Sequence, residues 1–385
     1  MIKFKSLLLT ICGLFIASSN LFSQTIGGSQ TNGSESNNVV TAVPFLLIVP
    51  DARSGAIGNV GVATPGDANS TSMNPAKMAF LENDYSIGLS YSPWLRNIAT
   101  DVSLSYLSGY YKIDDRNTIG ASLRYFSLGN VQLTDANQQL IGVSNPNELA
   151  FDISYSRSFG EDFALGGSVR YINSNLQSNL TSSSANSKAG NAVAIDIAAL
   201  YTKKTILFNT NTILAAGINF SNIGTKMSYT QAGTKFFLPS NLKVGGSAKF
   251  LLDDLNDITI GLDFNKLLVP TQPSYDSNGN IIAGKDPNRS VTSALFSSFG
   301  DAPGGFSEEL KEIGISTGVE YWYNNTFALR AGYNYENPKK GNSSYLTVGA
   351  GARYNKFNFD FGYLIADVKK SPLAKTMRFG LIYNY

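Results

Sequence analysis

The chain has 385 residues, with 30 Lys and Arg against 28 Asp and Glu, one cysteine and no histidine. The near-zero net charge argues against a nucleic-acid partner. Without an imidazole to move protons near neutral pH, Ser–His and Asp–His hydrolytic sites are excluded, and no catalytic residue is expected.

In chain order, Lys3 and Lys5 form a basic start, and residues 7–16 form an apolar run too short to cross a bilayer. Leu21-Phe22-Ser23-Gln24 is a candidate cleavage site, so residues 1–23 read as a signal peptide. A lipoprotein signal ending at Cys12 is the alternative, but Ile11 before it is bulky and the apolar run continues past it. Removing residues 1–23 takes the cysteine and two lysines, leaving 28 residues of each charge. The remaining chain then has no disulfide, no thiolate nucleophile and no Cys metal site. No cofactor and no metal site are expected.

Residues 24–40 are rich in Gly, Ser, Asn and Thr and read as flexible. Residues 41–50 are an apolar run bracketed by Pro44 and Pro50, and residues 51–79 carry spaced glycines. The segment 24–83 is therefore expected to be a flexible N-terminus followed by a plug in the mouth of a barrel, where irregular backbone is tolerated at membrane depth. Pro44, Phe45, Asp51, Arg53, Gly58, Asn74 and Pro75 are its candidate residues. Gly55, Gly58 and Gly61 do not have dinucleotide-binding spacing and read as turns.

Residues 84–385 contain no run of 18 apolar residues, so no transmembrane helix is expected. Instead, fourteen segments alternate apolar and polar residues: 85–91, 102–106, 119–125, 149–155, 163–171, 193–201, 214–220, 242–250, 258–264, 315–323, 327–335, 346–354, 357–363 and 377–385. Period 2 puts one set of side chains on each face of a strand. The last segment is diagnostic: Met377, Phe379, Leu381, Tyr383 and the terminal Tyr385 alternate with mostly polar residues. A closing barrel strand must show lipid such a face, with aromatics at the interface. In the second segment Val102, Leu104 and Tyr106 are taken as the apolar face.

Short links (114–117, 160–162, 253–256, 324–325, 355–356) separate longer ones (129–147, 177–190, 221–238, 269–312, 366–375). This is the turn-and-loop rhythm of an outer-membrane barrel and puts both termini in the periplasm. The expected fold is an all-β, fourteen-stranded antiparallel barrel in the outer membrane of a Gram-negative bacterium. A soluble β-sandwich would not sort its turns this way. Arg124, Asp152, Arg170, Asp196, Glu320, Arg330, Arg353 and Asp360 alternate against the apolar set and are expected in the lumen. They form either a satisfied network or a pore lining, and their mixed signs favour the network.

Other motifs carry little. Residues 279–285 match a P-loop until Asp286 stands where Ser or Thr is needed. Residues 276–280 read as an Asx turn rather than a Ca²⁺ loop. Asp253-Asp254 reads as a solvated turn, and Glu308-Glu309 as a helix start that Ser307 caps. Length singles out the 269–312 loop for function. Leu295, Phe296, Phe299, Asp301 and Phe306 there, with Met227, Tyr229, Phe236 and Phe237 in the 221–238 loop, either pack onto neighbouring segments or form a partner-binding surface.

Two stretches carry a family resemblance. Asp51-Ala52-Arg53-Ser54-Gly55-Ala56-Ile57-Gly58, then Gly61-Val62-Ala63-Thr64, Asp67 and Asn74-Pro75-Ala76, resemble the N-terminal signature of FadL-like barrels, with Ile57 where that family often has Met. Thr41-Ala42-Val43-Pro44-Phe45-Leu46-Leu47-Ile48, the loop stretch from Phe296 through Asp301-Ala302-Pro303-Gly304-Gly305-Phe306 to Glu312, and Glu320-Tyr321-Trp322-Tyr323 resemble the PorV (LptO) family. That resemblance implies a type IX secretion system outer-membrane shuttle of Bacteroidota. Such a protein binds the C-terminal signal domains of cargo leaving the large translocon barrel. It delivers them to the PorU sortase and attachment-complex subunits, where cargo is linked to lipopolysaccharide. The alternative is a FadL-type channel for hydrophobic small molecules, which predicts an apolar pocket between plug and wall.

Overall fold

The computed structural model describes residues 39–385 except 97–98, 136, 177–187, 231–232, 342, 368–370 and 372. The signal-peptide reading lies outside the described residues. Fourteen antiparallel strands close into a barrel. They are β1 (Tyr85–Pro93), β2 (Ser103–Lys112), β3 (Asn117–Ser127), β4 (Asn147–Ser158), β5 (Phe163–Asn175), β6 (Gly190–Leu207) and β7 (Thr210–Gly224). The second half is β8 (Asn241–Leu251), β9 (Asn256–Leu267), β10 (Gly314–Tyr323), β11 (Phe327–Tyr335), β12 (Tyr345–Tyr354), β13 (Phe357–Ile365) and β14 (Met377–Asn384).

The sequence pattern explains the wall. On β1, Ile87, Leu89 and Tyr91 point outward while Ser86, Ser90 and Ser92 are buried. On β4, Phe151, Ile153 and Tyr155 are exposed and Asp152, Ser154 and Ser156 buried. An exposed apolar belt of this kind is stable only against lipid. Small polar residues on the other face leave room inside. β14 closes the ring against β1 from Ser86↔Asn384 to Tyr91↔Phe379, and the rings of Tyr85 and Tyr385 stack at 4.7 Å. Closure leaves no unpaired edge for the bilayer to solvate.

One strand departs from the expected facing. Leu104 and Tyr106 of β2 point inward, and Leu107 and Tyr111 point outward. The inward pair is apolar because the N-terminal segment packs on it: the Thr71 and Tyr106 hydroxyls lie 2.8 Å apart, and Leu104 joins a core with Val43, Phe45 and Phe126. β6 and β7 are also longer than their alternation suggested. They run on to a two-residue turn at Phe208 and Asn209, both at positive φ (51° and 58°). That geometry is the type I′ turn suited to a hairpin.

Glycine lets the N-terminal segment approach the wall. A Cβ on Gly332 of β11 would lie 2.2 Å from the backbone N of Gly58, and one on Gly318 of β10 would lie 2.2 Å from the carbonyl of Ile57. Both clashes are with backbone, so nothing can swing aside. Gly332→Ala is expected to displace residues 57–58 and cost roughly 1–3 kcal/mol of overpacking strain. Faster cleavage within residues 51–66 by a protease added to detergent-solubilised barrel would report it; an unchanged cleavage pattern would show that the approach is not needed.

Candidate functional site

Inside the wall, two ion networks tie elements that are remote in sequence. Arg53 donates from Nε and Nη2 to both carboxylate oxygens of Glu320 on β10, at 2.8 and 2.7 Å, and from Nη1 to Asp67 at 2.9 Å. Arg330 of β11 donates to Glu320 at 2.7 Å and pairs with Asp360 of β13 at 2.8 Å. The order Asp67–Arg53–Glu320–Arg330–Asp360 thus alternates in sign. The second network centres on Arg170 of β5, which holds Asp152 of β4 (2.5 Å) and Asp196 of β6 (2.9 Å). Arg353 points inward at the turn end, where it stacks over Trp322 and donates to Asn325. The expected lumen charges are therefore mostly a satisfied network rather than a single-sign ring.

The N-terminal segment meets the barrel differently on its two sides. Facing β2 to β6 the contact is apolar: Val43, Phe45 and Leu46 pack with Leu104, Phe126, Ile172 and Ala194, and the Phe45 and Phe126 rings stack at 6.2 Å. Pro44 opens the short helix Pro44–Leu47. Asp51 caps the helix Ala52–Ala56 by accepting from the Ser54 N–H, and Asn74 caps Pro75–Phe80 by accepting from the Ala76 N–H. Asn74 also donates to the carbonyls of Val62 and of Ala199 on β6. Facing β7 to β11, Val60 and Val62 pack on Gly261 and Gly245, and above them lies a cavity of about 130 Å³ lined by Asn59, Asn219, Asn241, Lys243, Asn265 and Glu336 opposite residues 46–50.

The long loop 268–313 is built on the barrel rim. Thr271 and two lysines, Lys266 at the end of β9 and Lys340 in the β11–β12 connection, converge on its acids. Lys266 bonds Glu309 (2.8 Å) and Glu312 (2.7 Å), Lys340 bonds Glu312 (2.9 Å), and Thr271 bonds Glu312 (2.7 Å). Burial alone would raise the Glu312 carboxyl; the hydrogen bonds from Lys266, Thr271 and Lys340 outweigh it and hold the group below the usual range. The helix Phe306–Glu309 starts at Gly305 with no side-chain cap from Ser307; Glu308 and Glu309 do lie in its first turn, where Glu308 accepts from the Gly304 N–H, and Glu309 also binds Lys266.

With its acids tied down, the loop presents aromatics outward. Phe296 and Phe306 are 79% and 76% exposed and Phe299 is half exposed, with Leu295 partly buried beside them. Asp301 does not belong to that face: it is buried and accepts from the Thr271 N–H. Met227 is buried as well, in the core with Phe45, so it too is removed from any surface. Tyr229 is partly buried near Ser174, Phe237 lies under the Lys226 ammonium, and Phe236 is exposed. The anchors Lys266 and Lys340 were missed in the sequence; the clustered acids at 308, 309 and 312 were the signal that could have found them.

The minor motifs resolve as local structure. Asp276 accepts from the N–H groups of Asn278 and Asn280 in an Asx turn, and residues 279–285 run into the short loop strand Ile281–Ala283 rather than a strand–loop–helix. Asp253 makes the same turn with Leu255 and Asn256.

Comparison with known proteins agrees with this architecture. The family model described as type IX secretion system protein PorV matches residues 31–274. No curated protein sequence matches the chain. Among solved structures, the Pseudomonas putida toluene transporter TodX is similar at a TM-score of 0.50 and 13% identity, covering 87% of this chain and 98% of its own. The Ralstonia pickettii toluene transporter TbuX (TM-score 0.46, 12% identity, 87% and 98% covered) and a Pseudomonas aeruginosa FadL homologue (TM-score 0.44, 12% identity, 91% and 99% covered) are also found. At 13% identity the likeness to TodX speaks to the barrel fold and not to cargo. The family model spans well over half of the chain, and the protein, a non-catalytic outer-membrane β-barrel, belongs to the type IX secretion system protein PorV family.

Proposed function

We propose that the protein is an outer-membrane shuttle of the type IX system. It captures the C-terminal signal domains of cargo emerging from the translocon barrel and passes them to the PorU sortase and its attachment complex at the cell surface. The observation that carries this reading is the outward face of Phe296, Phe299 and Phe306, held on a loop whose acids are fixed to the rim by Lys266 and Lys340. Exposed aromatic rings on a pre-ordered support bind a partner without a large ordering cost. In this reading the plug segment, described from residue 39 to 83, makes the barrel an anchor rather than a conduit, and both chain ends lie in the periplasm, opposite the long loops. The rival, a channel for hydrophobic molecules, calls for an apolar pocket between the N-terminal segment and the wall. The cavity found there has an apolar side, residues 46–50 and Met73, but its other lining is carboxamides, Lys243, Arg124 and Glu336; so many polar groups suit a purely hydrophobic molecule poorly, which favours the shuttle.

The test is a mild-detergent pull-down of tagged protein from its native outer membrane, comparing wild type with the triple variant Phe296→Ala, Phe299→Ala, Phe306→Ala. Wild type is expected to recover proteins that share a C-terminal signal domain together with the sortase. The variant is expected to lose at least tenfold of that cargo while reaching the membrane at the same level. Equal recovery by the variant would remove the loop from cargo capture. A barrel recovered alone with a bound fatty acid would replace the shuttle reading with the channel.

A further inference from the structure

We propose that the polar cavity on the β7–β11 side is a binding site for a small hydroxylated anion of the sugar-acid class. It is bounded by residues 46–50, Asn59, Ser72 and Met73 of the N-terminal segment and by the loop-side ends of β7 to β11. A cavity of about 150 Å³ takes benzene, so about 130 Å³ seats the acid end of a hexuronate, its carboxylate and nearest hydroxyls, with the rest of the ring toward the loops.

Three unpartnered polar atoms belong to residues lining this one space. Arg124 Nε, Asn219 Oδ1 and Asn241 Oδ1 have no hydrogen-bond partner, and their residues are 3%, 3% and 6% exposed. Buried polar groups are almost always paired, so such a convergence points to a missing ligand. Charge points the same way: two cations, Arg124 and Lys243, line the space against one carboxyl, Glu336, which burial keeps protonated up to about pH 7. Arg124 donates through Nη1 to the carbonyl of Leu46 (2.8 Å), and among the described residues no carboxylate lies within ion-pair distance; Asp152 and Asp196 are held by Arg170. Lys243 Nζ makes one long bond, 3.3 Å to the carbonyl of Asn59, and no ion pair is described for it. The fold has also rearranged to line the space. A β-bulge in β7, where Asn222 adopts φ 59°, puts the adjacent Ser221 and Asn222 on the same inner side.

The unmet groups select the ligand by elimination. An apolar molecule would satisfy none of them. A metal cation is repelled by Arg124 and Lys243, which outnumber the single lining carboxyl, Glu336. A bare inorganic anion could answer the two cations but would leave the amide oxygens of Asn219 and Asn241 without donors. Hydroxyls supply those donors and a carboxylate answers the cations, so both belong on one molecule. Because the cavity lies where the long loops begin, the sugar acid can be free or the terminal residue of a larger glycan.

The test titrates the full, detergent-solubilised barrel by calorimetry with glucuronate, glucose, inorganic phosphate and a trisaccharide of the uronic acid. Saturable glucuronate binding, at least tenfold tighter than glucose or phosphate, is expected. Lys243→Gln and Asn241→Leu should each weaken it at least tenfold while the melting temperature without ligand stays within a few degrees. Equal binding of the trisaccharide identifies the end of a glycan as the source, and its exclusion identifies the free acid; either supports the site. No saturable binding to the folded wild type, or binding of glucose or phosphate as tight as glucuronate, would overturn the proposal. So would unchanged affinity in every variant that folds, whether that is both of them or one.

Discussion

Glu320→Ala is expected to destabilise the barrel by roughly 3–5 kcal/mol, the usual cost of removing one partner from a buried ion network. Glu320 accepts three hydrogen bonds from two guanidiniums, Arg53 of the N-terminal segment and Arg330 of β11. Without it those two cations face each other with only the outer acids, Asp67 and Asp360, and Arg330 already has an unpartnered Nη2. Charges left unpaired away from water cannot be compensated by side-chain motion in a packed interior. Arg53 is the charged link of residues 51–67 to the wall, beside the hydrogen bonds of Ala56 and Gly58 with Thr347 and of Gly61 and Val62 with Asp263, so the segment should loosen around Arg53 before the strands separate. Denaturant midpoints in detergent give the first quantity, and protease cutting between residues 51 and 80 gives the second. Replacing the whole series (Arg53→Met, Glu320→Leu and Arg330→Met together with Asp67→Asn and Asp360→Asn, so that no acid is left without its cation) should recover most of the loss, since the desolvation penalty then disappears with the charges. A shift below about 1 kcal/mol for Glu320→Ala would mean that water reaches the network and screens it.

The barrel was legible because lipid imposes a strict rule on one face of each strand. Ile87-Leu89-Tyr91 or Phe357-Phe359-Phe361 can be read from period 2 alone, as their partner is a featureless solvent. The inner face follows no such rule, since its partner is another piece of this chain. Leu104 and Tyr106 therefore looked like lipid-facing residues, although they pack on Phe45 and Thr71. The same reasoning separates the two kinds of site residue. Arg53 and Glu320 could each be marked as ionisable and inward, but their pairing spans 267 positions and no local pattern encodes it. Asn219, Asn241 and Asn265 sit on three strands near their loop ends, where asparagine ordinarily signals a turn. Only closure of the sheet brings them around one cavity. The aromatics at 296, 299 and 306 were visible in the loop; their outward direction was not, because it depends on Lys266 and Lys340 drawing the acids of that loop onto the rim.

Glu336 should make the protein's stability fall as pH rises through neutrality. It follows β11, at the rim, and burial pushes its carboxyl up to about 7, opposed only by a hydrogen bond from the Ser343 backbone. In the unfolded chain the same group titrates near its ordinary value of 4.5. Folding therefore favours the protonated form: its contribution is fully present below about pH 4.5 and is lost as pH climbs through about 7, where the folded state must ionise a buried acid. The displacement corresponds to at most about 3 kcal/mol, and to less than that because the side chain is partly exposed. Glu336→Gln keeps the shape and removes the titration. Near pH 5 the variant and wild type should melt within a degree or two of each other, whereas near pH 9 the variant should be the more stable by about 2 kcal/mol. Parallel melting curves across that range would show that the rim opens enough to hydrate Glu336. The difference is to be measured without added ligand, so that it reports the cost of ionising this carboxyl and not the occupancy of the cavity it borders.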